Sequence, residues 1–237
     1  MLKHYSWKKR KQLELYFRCL SSPCIDSILG DYYTIFEFHR SERWLRSRIL
    51  KQTLQAWEIR DAESLKNKIR WLLDDGNRDA YKDMHMQLAM LTEAARRKQM
   101  ETSKDESDYE RMAVIHNVLR QLPSGEIAGF GGGWAIFLCR VGVVYQFLTK
   151  EEAWVINLEA ARHVQEHHDS WQNYFIGFAA GSQFHLSDRR WKKCIPVMNR
   201  VSTILGRSTL GWNRAAWVQD LLPDKEKHLP KQESISV

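Results

Sequence analysis

Glycine and proline are scarce in this chain, at 12 and 5 residues of 237. A β-sandwich or barrel needs a turn every few residues, so the shortage argues against both and leaves an all-α fold as the simplest solution. Cysteine is sparse as well. Cys19, Cys24, Cys139 and Cys194 are too few to staple a chain of this length, and Cys19 and Cys24 do not form a CxxC pair. They read as free thiols in a reducing compartment, which leads to the expectation of a cytoplasmic protein. The start, MLKHYSWKKRKQLELYF, lacks the apolar stretch and small-residue cleavage site of a secretory signal. One run, IAGFGGGWAIFLCRVGVVYQFL (127–148), has the length of a membrane span, but it holds five glycines and carries Arg140. A charge inside such a segment is costly in lipid, so the run reads as a buried core helix and no membrane partner is expected.

What is present fits a globular chain: 43% hydrophobic and 27% charged residues, a balance that excludes intrinsic disorder. Ten tryptophans spread along the sequence point to an aromatic core. The length suits a single irregular multi-helix domain. The formal charge of +7 is unevenly placed, since residues 1–60 hold 12 Lys/Arg against 6 Asp/Glu. That excess is either a footprint for nucleic acid or an acidic partner, or a solvated basic helix face; no nucleic-acid motif accompanies it.

Along the chain, residues 1–40 read as a basic N-terminal extension, 41–222 as a helical domain and 223–237 as a flexible tail. In WKKRKQLELYFRCL (7–20), Trp7, Leu13, Phe17 and Leu20 lie near helical spacing. Ser-Ser-Pro-Cys then breaks the helix, and YYTIFEF (32–38) is β-prone. Ser41 is a candidate N-cap for a helix to about Ile59, with Trp44, Leu45, Ile49, Leu54 and Trp57 roughly on one face. Asp61 caps the next helix, which ends at Gly76 in the place of a left-handed C-terminal residue. A Met-rich helix is expected over 79–100, where the methionines read as core filler before a binding surface. An exposed loop follows at 101–108, then a helix over 109–121 stopped by Pro123-Ser124-Gly125. The strongest local signal is the capping box Thr149-Lys150-Glu151-Glu152, opening a helix to about His168. Ser170 caps the next, in which Gly177 and Gly181 share one face and permit close helix contact. Two short helices are expected over 189–205.

Several pieces together carry a family resemblance: LLDDGNRDAY (72–81), AGFGGGWAIFLCRVG (128–142), LTKEEAWVINLEAARHVQEHHDSW (148–171), YFIGFAAGSQF (174–184) and ILGRSTLGW (204–212). In this order they resemble a bacterial domain-of-unknown-function family that includes the enterobacterial YbeU and YbeR proteins. The resemblance covers about residues 45–220. It implies an all-helical domain and a bacterial source, and no activity. There is one departure. Where the family commonly reads Ala-Trp-Asp followed shortly by Arg, this chain has Gly129-Phe130-Gly131 and then Trp134. The missing acid and base favour a structural or binding role, with Phe130, Gly131 and Trp134 as candidate partner contacts.

One string carries potential chemistry. His163-Val164-Gln165-Glu166-His167 matches the H-x-x-E-H pattern of inverted zinc metallopeptidases, in which two imidazoles four apart share a helix face. His163 and His167 would then hold Zn²⁺ with Glu166 as general base, and Glu159, His168 or Asp169 as third ligand. The competing reading is a polar helix end, where histidines complement the dipole. Gly129–Gly133 lacks the Lys-Ser/Thr of a phosphate-binding loop and has no preceding strand, so backbone packing is its expected use. No cofactor is expected. The reading that emerges is a non-enzymatic protein-interaction or regulatory module, with a metal-dependent hydrolase or a nucleic-acid binder as alternatives.

Overall fold

The computed structural model describes residues 2–25, 28–39, 41–45, 47–104, 107–119, 122, 126–186 and 215–224, and every regular element among them is a helix. The α-helices are α1 (Trp7–Leu20), α2 (Ile28–Ile35), α3 (Glu42–Leu45), α4 (Ser47–Ala56), α5 (Ala62–Asp74), α6 (Arg78–Ala89), α7 (Glu93–Thr102), α8 (Tyr109–Val118), α9 (Ala128–Val144), α10 (Lys150–His167) and α11 (Trp171–Leu186).

The fold is organised around α9. Every residue of it except Val143 is buried, and α10, α5 and α11 pack most heavily against it. A helix that is apolar all round must be covered on all sides. The glycine run explains how three helices fit. Successive helical positions point about 100° apart, so Gly131, Gly132 and Gly133 face three neighbours in turn. A Cβ at Gly131 would run into the Leu72 carbonyl oxygen of α5; at Gly132, into Val164 of α10; at Gly133, into Tyr174 and Phe178 of α11. Each approach is closer than 3.0 Å, which a real Cβ does not tolerate. The glycines are therefore inside α9 and not a loop before it.

Local signals fix the ends of the surrounding helices. The Asp61 carboxylate accepts from the Ser64 N–H at 2.8 Å, and α5 closes at Gly76, whose φ of +53° is the left-handed region glycine adopts most readily. The Thr149 hydroxyl accepts from the Glu152 N–H at 3.2 Å while the Glu152 carboxylate accepts from the Thr149 N–H at 2.9 Å, completing the capping box of α10. Lys66 donates to the same Glu152 carboxylate at 2.7 Å, and these bonds hold its pKa down at about 2. The Asn173 N–H donates to the Ser170 hydroxyl at 3.2 Å at the start of α11.

The basic N-terminal segment is part of the core. Leu13, Tyr16, Phe17, Cys19 and Leu20 of α1 are buried, and the Tyr174 hydroxyl donates to the Leu20 carbonyl. Arg140, the one charge in the apolar run, fastens the following stretch. Its Nε donates to Glu37 at 2.8 Å, Nη1 to the Ser21 hydroxyl at 2.7 Å, and Nη2 to the carbonyls of Tyr33 at 2.9 Å and Phe36 at 3.3 Å. Its guanidinium also lies 4.5 Å from the Phe38 ring centroid. A buried guanidinium is tolerated only when its donors are met in this way. Residues 215–224 close the other side: Tyr5 donates to the Leu221 carbonyl at 2.9 Å, and Lys9 pairs with Asp220 at 3.1 Å.

Four expectations need correction. The β-prone stretch holds helix α2, because Tyr33 and Thr34 find buried places and tertiary packing overrides weak propensity. On the face expected from Ser41 onward, Leu54 and Trp57 are buried together with Leu50 and Thr53, while Trp44 and Leu45 are exposed. The Met-rich helix is two, α6 and α7. Arg96 folds back onto the carbonyls of Leu88 and Leu91, and the Thr92 hydroxyl caps α7 by accepting from the Ala95 N–H at 3.3 Å. Trp7 is exposed at the first turn of α1, while Leu13, Phe17 and Leu20 are buried as expected. The stop at Pro123-Ser124-Gly125, the short helices over 189–205, Cys194 and most of the C-terminal tail lie outside the described residues.

Candidate functional site

The glycine-led entrance of α9 is sealed. Phe130 and Trp134 are 0% and 1% exposed, and Gly131 is buried beneath the end of α5. Trp134 packs on Trp57 with ring centroids 5.0 Å apart, and Phe130 lies 5.2 Å from the His185 ring, which itself stacks on Trp57 at 5.3 Å. These three residues pack against other core groups of the described residues. With the Leu72 carbonyl this near, no side chain fits at Gly131.

The histidine string is a tethered helix end. His163 and His167 are neighbours, with ring centroids 4.5 Å apart. The His167 Nδ1 lies 2.7 Å from the His163 carbonyl oxygen, which can only accept, so Nδ1 carries the proton. Its Nε2 therefore presents a lone pair, which takes a bond from Arg78 Nη1 at 3.1 Å. Arg78 is itself held by the Leu73 carbonyl at 3.0 Å and the Asp75 carbonyl at 3.1 Å. Arg78 thus engages the His167 lone pair that a metal ion would need, and Glu166 is exposed. Among the described residues no group of three or more His, Cys, Asp or Glu is placed to hold a metal ion.

Burial dominates the titration of this cluster. It pushes the His163 imidazole down to about 3, with His167 and Arg78 adding repulsion. His168 is lowered to about 4 by burial and then by His167, against a smaller opposing pull from Asp169. His168 sits between two glycines: a Cβ at Gly129 would lie 3.0 Å from its Nε2, and one at Gly177 would lie 2.6 Å from its Cε1. Neither ring nitrogen has a hydrogen-bond partner. Both imidazoles are neutral at neutral pH, a state suited to packing between helices.

The basic charge of the first quarter is partly consumed internally. Lys9 reaches Asp220 and Asp224, Lys11 pairs with Glu14 at 2.9 Å, and Arg18 Nε donates to the Thr34 carbonyl at 3.2 Å. Lys3, Lys8, Arg48 and Lys51 are exposed.

What the sequence reading missed is an exposed apolar face on α2 and α3. Ile35, Phe36, Trp44 and Leu45 are 54%, 52%, 77% and 64% exposed. Tyr32 lies beside Phe36, ring centroids 4.8 Å apart, and the Tyr33 hydroxyl ties the two elements by donating to Glu42 at 2.6 Å. Tyr32, Ile35 and Phe36 stand at i, i+3 and i+4, a helical stripe that was readable once the β assignment was set aside. The surrounding sequence is basic: Arg40, Arg43, Arg46, Arg48 and Lys51 against Glu42 in residues 40–51.

No described helix is long and apolar enough to cross a membrane. No curated protein and no solved structure matches the chain. A family model does match, over residues 54–217, which takes in α5 to α11 with their central glycine-led helix. The chain therefore belongs to the family described as Protein of unknown function (DUF1266).

Proposed function

We propose that this protein is a non-enzymatic interaction module of the bacterial cytoplasm that docks an acidic, apolar-faced protein segment on α2 and α3. The observation that carries this is the exposure of Ile35, Phe36, Trp44 and Leu45 within a basic stretch. Large apolar side chains exposed within a stretch of one sign of charge mark interaction sites. A partner with acidic residues around an apolar stripe meets both features. A second copy of this chain does not, because the same stretch of its sequence is basic. The buried free thiols Cys19, Cys24 and Cys139 support a reducing compartment. The resemblance to the bacterial family that includes YbeU and YbeR supports the bacterial source.

The test compares the full chain with a Phe36→Ser/Trp44→Ser variant as bait in extracts of the native cell. Acidic partners recovered by the wild type and lost by the variant, with unchanged melting, are expected. Equal recovery by both baits, a wild-type dimer by light scattering that the variant abolishes, or binding only to anionic vesicles would each overturn the proposal.

A further inference from the structure

A second feature stands apart from that surface. Residues 215–222 hold no helix or strand, yet they lie on three helices with a repeating pattern. The side chains of Ala215, Gln219 and Leu221 are buried, and those of Ala216, Val218, Asp220 and Leu222 are exposed. Four alternate carbonyls are met by side chains of the surrounding elements. Trp171 Nε1 of α11 donates to Ala215 at 2.9 Å, and the Tyr5 hydroxyl, just before α1, donates to Leu221 at 2.9 Å. Between them Gln165 Nε2 of α10 reaches Trp217 at 3.3 Å and Gln219 at 3.4 Å. The Trp217 ring lies among Tyr16, Trp171 and Tyr174, at centroid distances of 6.4, 5.1 and 6.0 Å, and its Nε1 donates to the His168 carbonyl at 3.2 Å. At the far end Lys9 holds Asp220 at 3.1 Å and Asp224 at 3.7 Å, and donates to the Leu222 carbonyl.

Helices packed on helices meet through side chains, because their backbone is already bonded. Here side chains of three helices take up the main chain of a non-helical segment and bury every second residue of it. A cleft holds a peptide in the same way: main-chain bonds give affinity and alternate pockets give specificity. The segment straddles the end of the family match at residue 217, and α1, one wall of the groove, lies wholly before its start at residue 54. One wall of the groove and the end of its occupant therefore lie outside the matched region.

We infer that the groove between α1, α10 and α11 is a peptide-binding site, which residues 215–224 occupy in cis as an autoinhibitory strap. Its ligand is a segment of a partner protein with Trp and Leu four residues apart and an acid between them, the pattern of Trp217, Asp220 and Leu221. The ligand Trp enters the space among Tyr16, Trp171 and Tyr174, and the acid meets Lys9. The bonds from Trp171, Gln165 and Tyr5 go to carbonyls, which every residue has, so recognition asks for little beyond these anchors. A segment that carries them replaces each contact the strap gives up, and the tether of the strap sets the concentration it must exceed. This site does not depend on the docking face of α2 and α3.

Fluorescence anisotropy of a labelled peptide with the sequence of residues 215–224, AAWVQDLLPD, tests it on the full chain. A Leu221→Ser chain, whose own strap is weakened, is expected to bind the peptide saturably, at least about tenfold tighter than the wild type, and more weakly as salt rises. A peptide carrying Trp217→Ala should bind about tenfold less tightly, and adding Gln165→Leu to the Leu221→Ser chain should weaken binding by about fivefold or more. Adding Phe36→Ser/Trp44→Ser instead should change nothing, which separates this site from the docking face. Absence of saturable binding to the Leu221→Ser chain at millimolar peptide would overturn the inference. So would equal affinity for the Trp217→Ala peptide, or a wild type that binds as tightly as Leu221→Ser. A wild-type dimer by light scattering that Leu221→Ser abolishes would make a second copy the occupant and overturn it too. If Leu221→Ser does not fold, Asp220→Asn/Asp224→Asn, which changes only the partly exposed acids of the strap, takes its place.

Discussion

The surroundings of α9 and the pair α2–α3 are opposite uses of the same residue types. In the first, glycines strip side chains from a helix so that α5, α10 and α11 can approach from three directions, and Phe130 and Trp134 vanish into the core. In the second, Phe36 and Trp44 are 52% and 77% exposed. The first lies within the family match at 54–217, the second outside it. The difference teaches that the recognisable signature is architectural, and that a search for function does better where apolar surface is left uncovered.

Breaking the sealed region should have the largest effect. Gly131→Asp puts a charged side chain against the Leu72 carbonyl, where neither backbone can move. Its cost should exceed the ~1–3 kcal/mol of ordinary overpacking, because a buried charge is added. Circular dichroism melting should show no cooperative transition. Arg140→Met comes next. It keeps the volume but strands the carbonyls of Tyr33 and Phe36, at a cost of about 1–3 kcal/mol, while Glu37, half exposed, returns to water. Urea titration measures that loss, and limited proteolysis should cut first in the stretch from Ser21 to Phe38.

Acid should act more gradually, and first through the buried histidines of the sealed side. His163 and His168 are held at about 3 and about 4, below an ordinary histidine value of 6.5. Their neutral forms fit the fold, so stability is complete above about pH 6.5 and declines as pH falls toward those lower values. Each group contributes a slope of up to ~1.4 kcal/mol per pH unit in that window. His168→Gln should flatten the dependence between pH 6.5 and 5, before the carboxylates protonate; an unchanged slope would show that His168 is not part of it. The smallest stability effect belongs to the docking face. Trp44→Ser should change unfolding free energy by no more than about 0.5 kcal/mol while abolishing partner recovery.

Much of the fold was legible because its punctuation is local. Asp61, Gly76, Thr149 and Ser170 act where the sequence places them, since a cap or a left-handed turn depends on its nearest neighbours. The core face of α1 was legible for Leu13, Phe17 and Leu20 but not for Trp7, whose exposure depends on where the helix begins relative to the core. Long-range features could not be read. Arg140 looked like an objection to a membrane span, and only the fold brings Ser21, Tyr33, Phe36 and Glu37 to it. The histidine string matched a motif by spacing, but its lone pair is answered by Arg78 from another helix. Likewise Phe130, Gly131 and Trp134 could be flagged as distinctive, while their burial required α5 and α11 to be in place.

The most direct test of the division between core and docking face is site-specific photo-crosslinking in the native cell. A photoreactive residue at Phe36 or Trp44 should yield one shared adduct with an acidic protein, weakened by Arg48→Glu/Lys51→Glu. The same residue at Val155, exposed on α10 within the family match, should yield none. An adduct at Val155 with none at positions 36 and 44 would contradict the account.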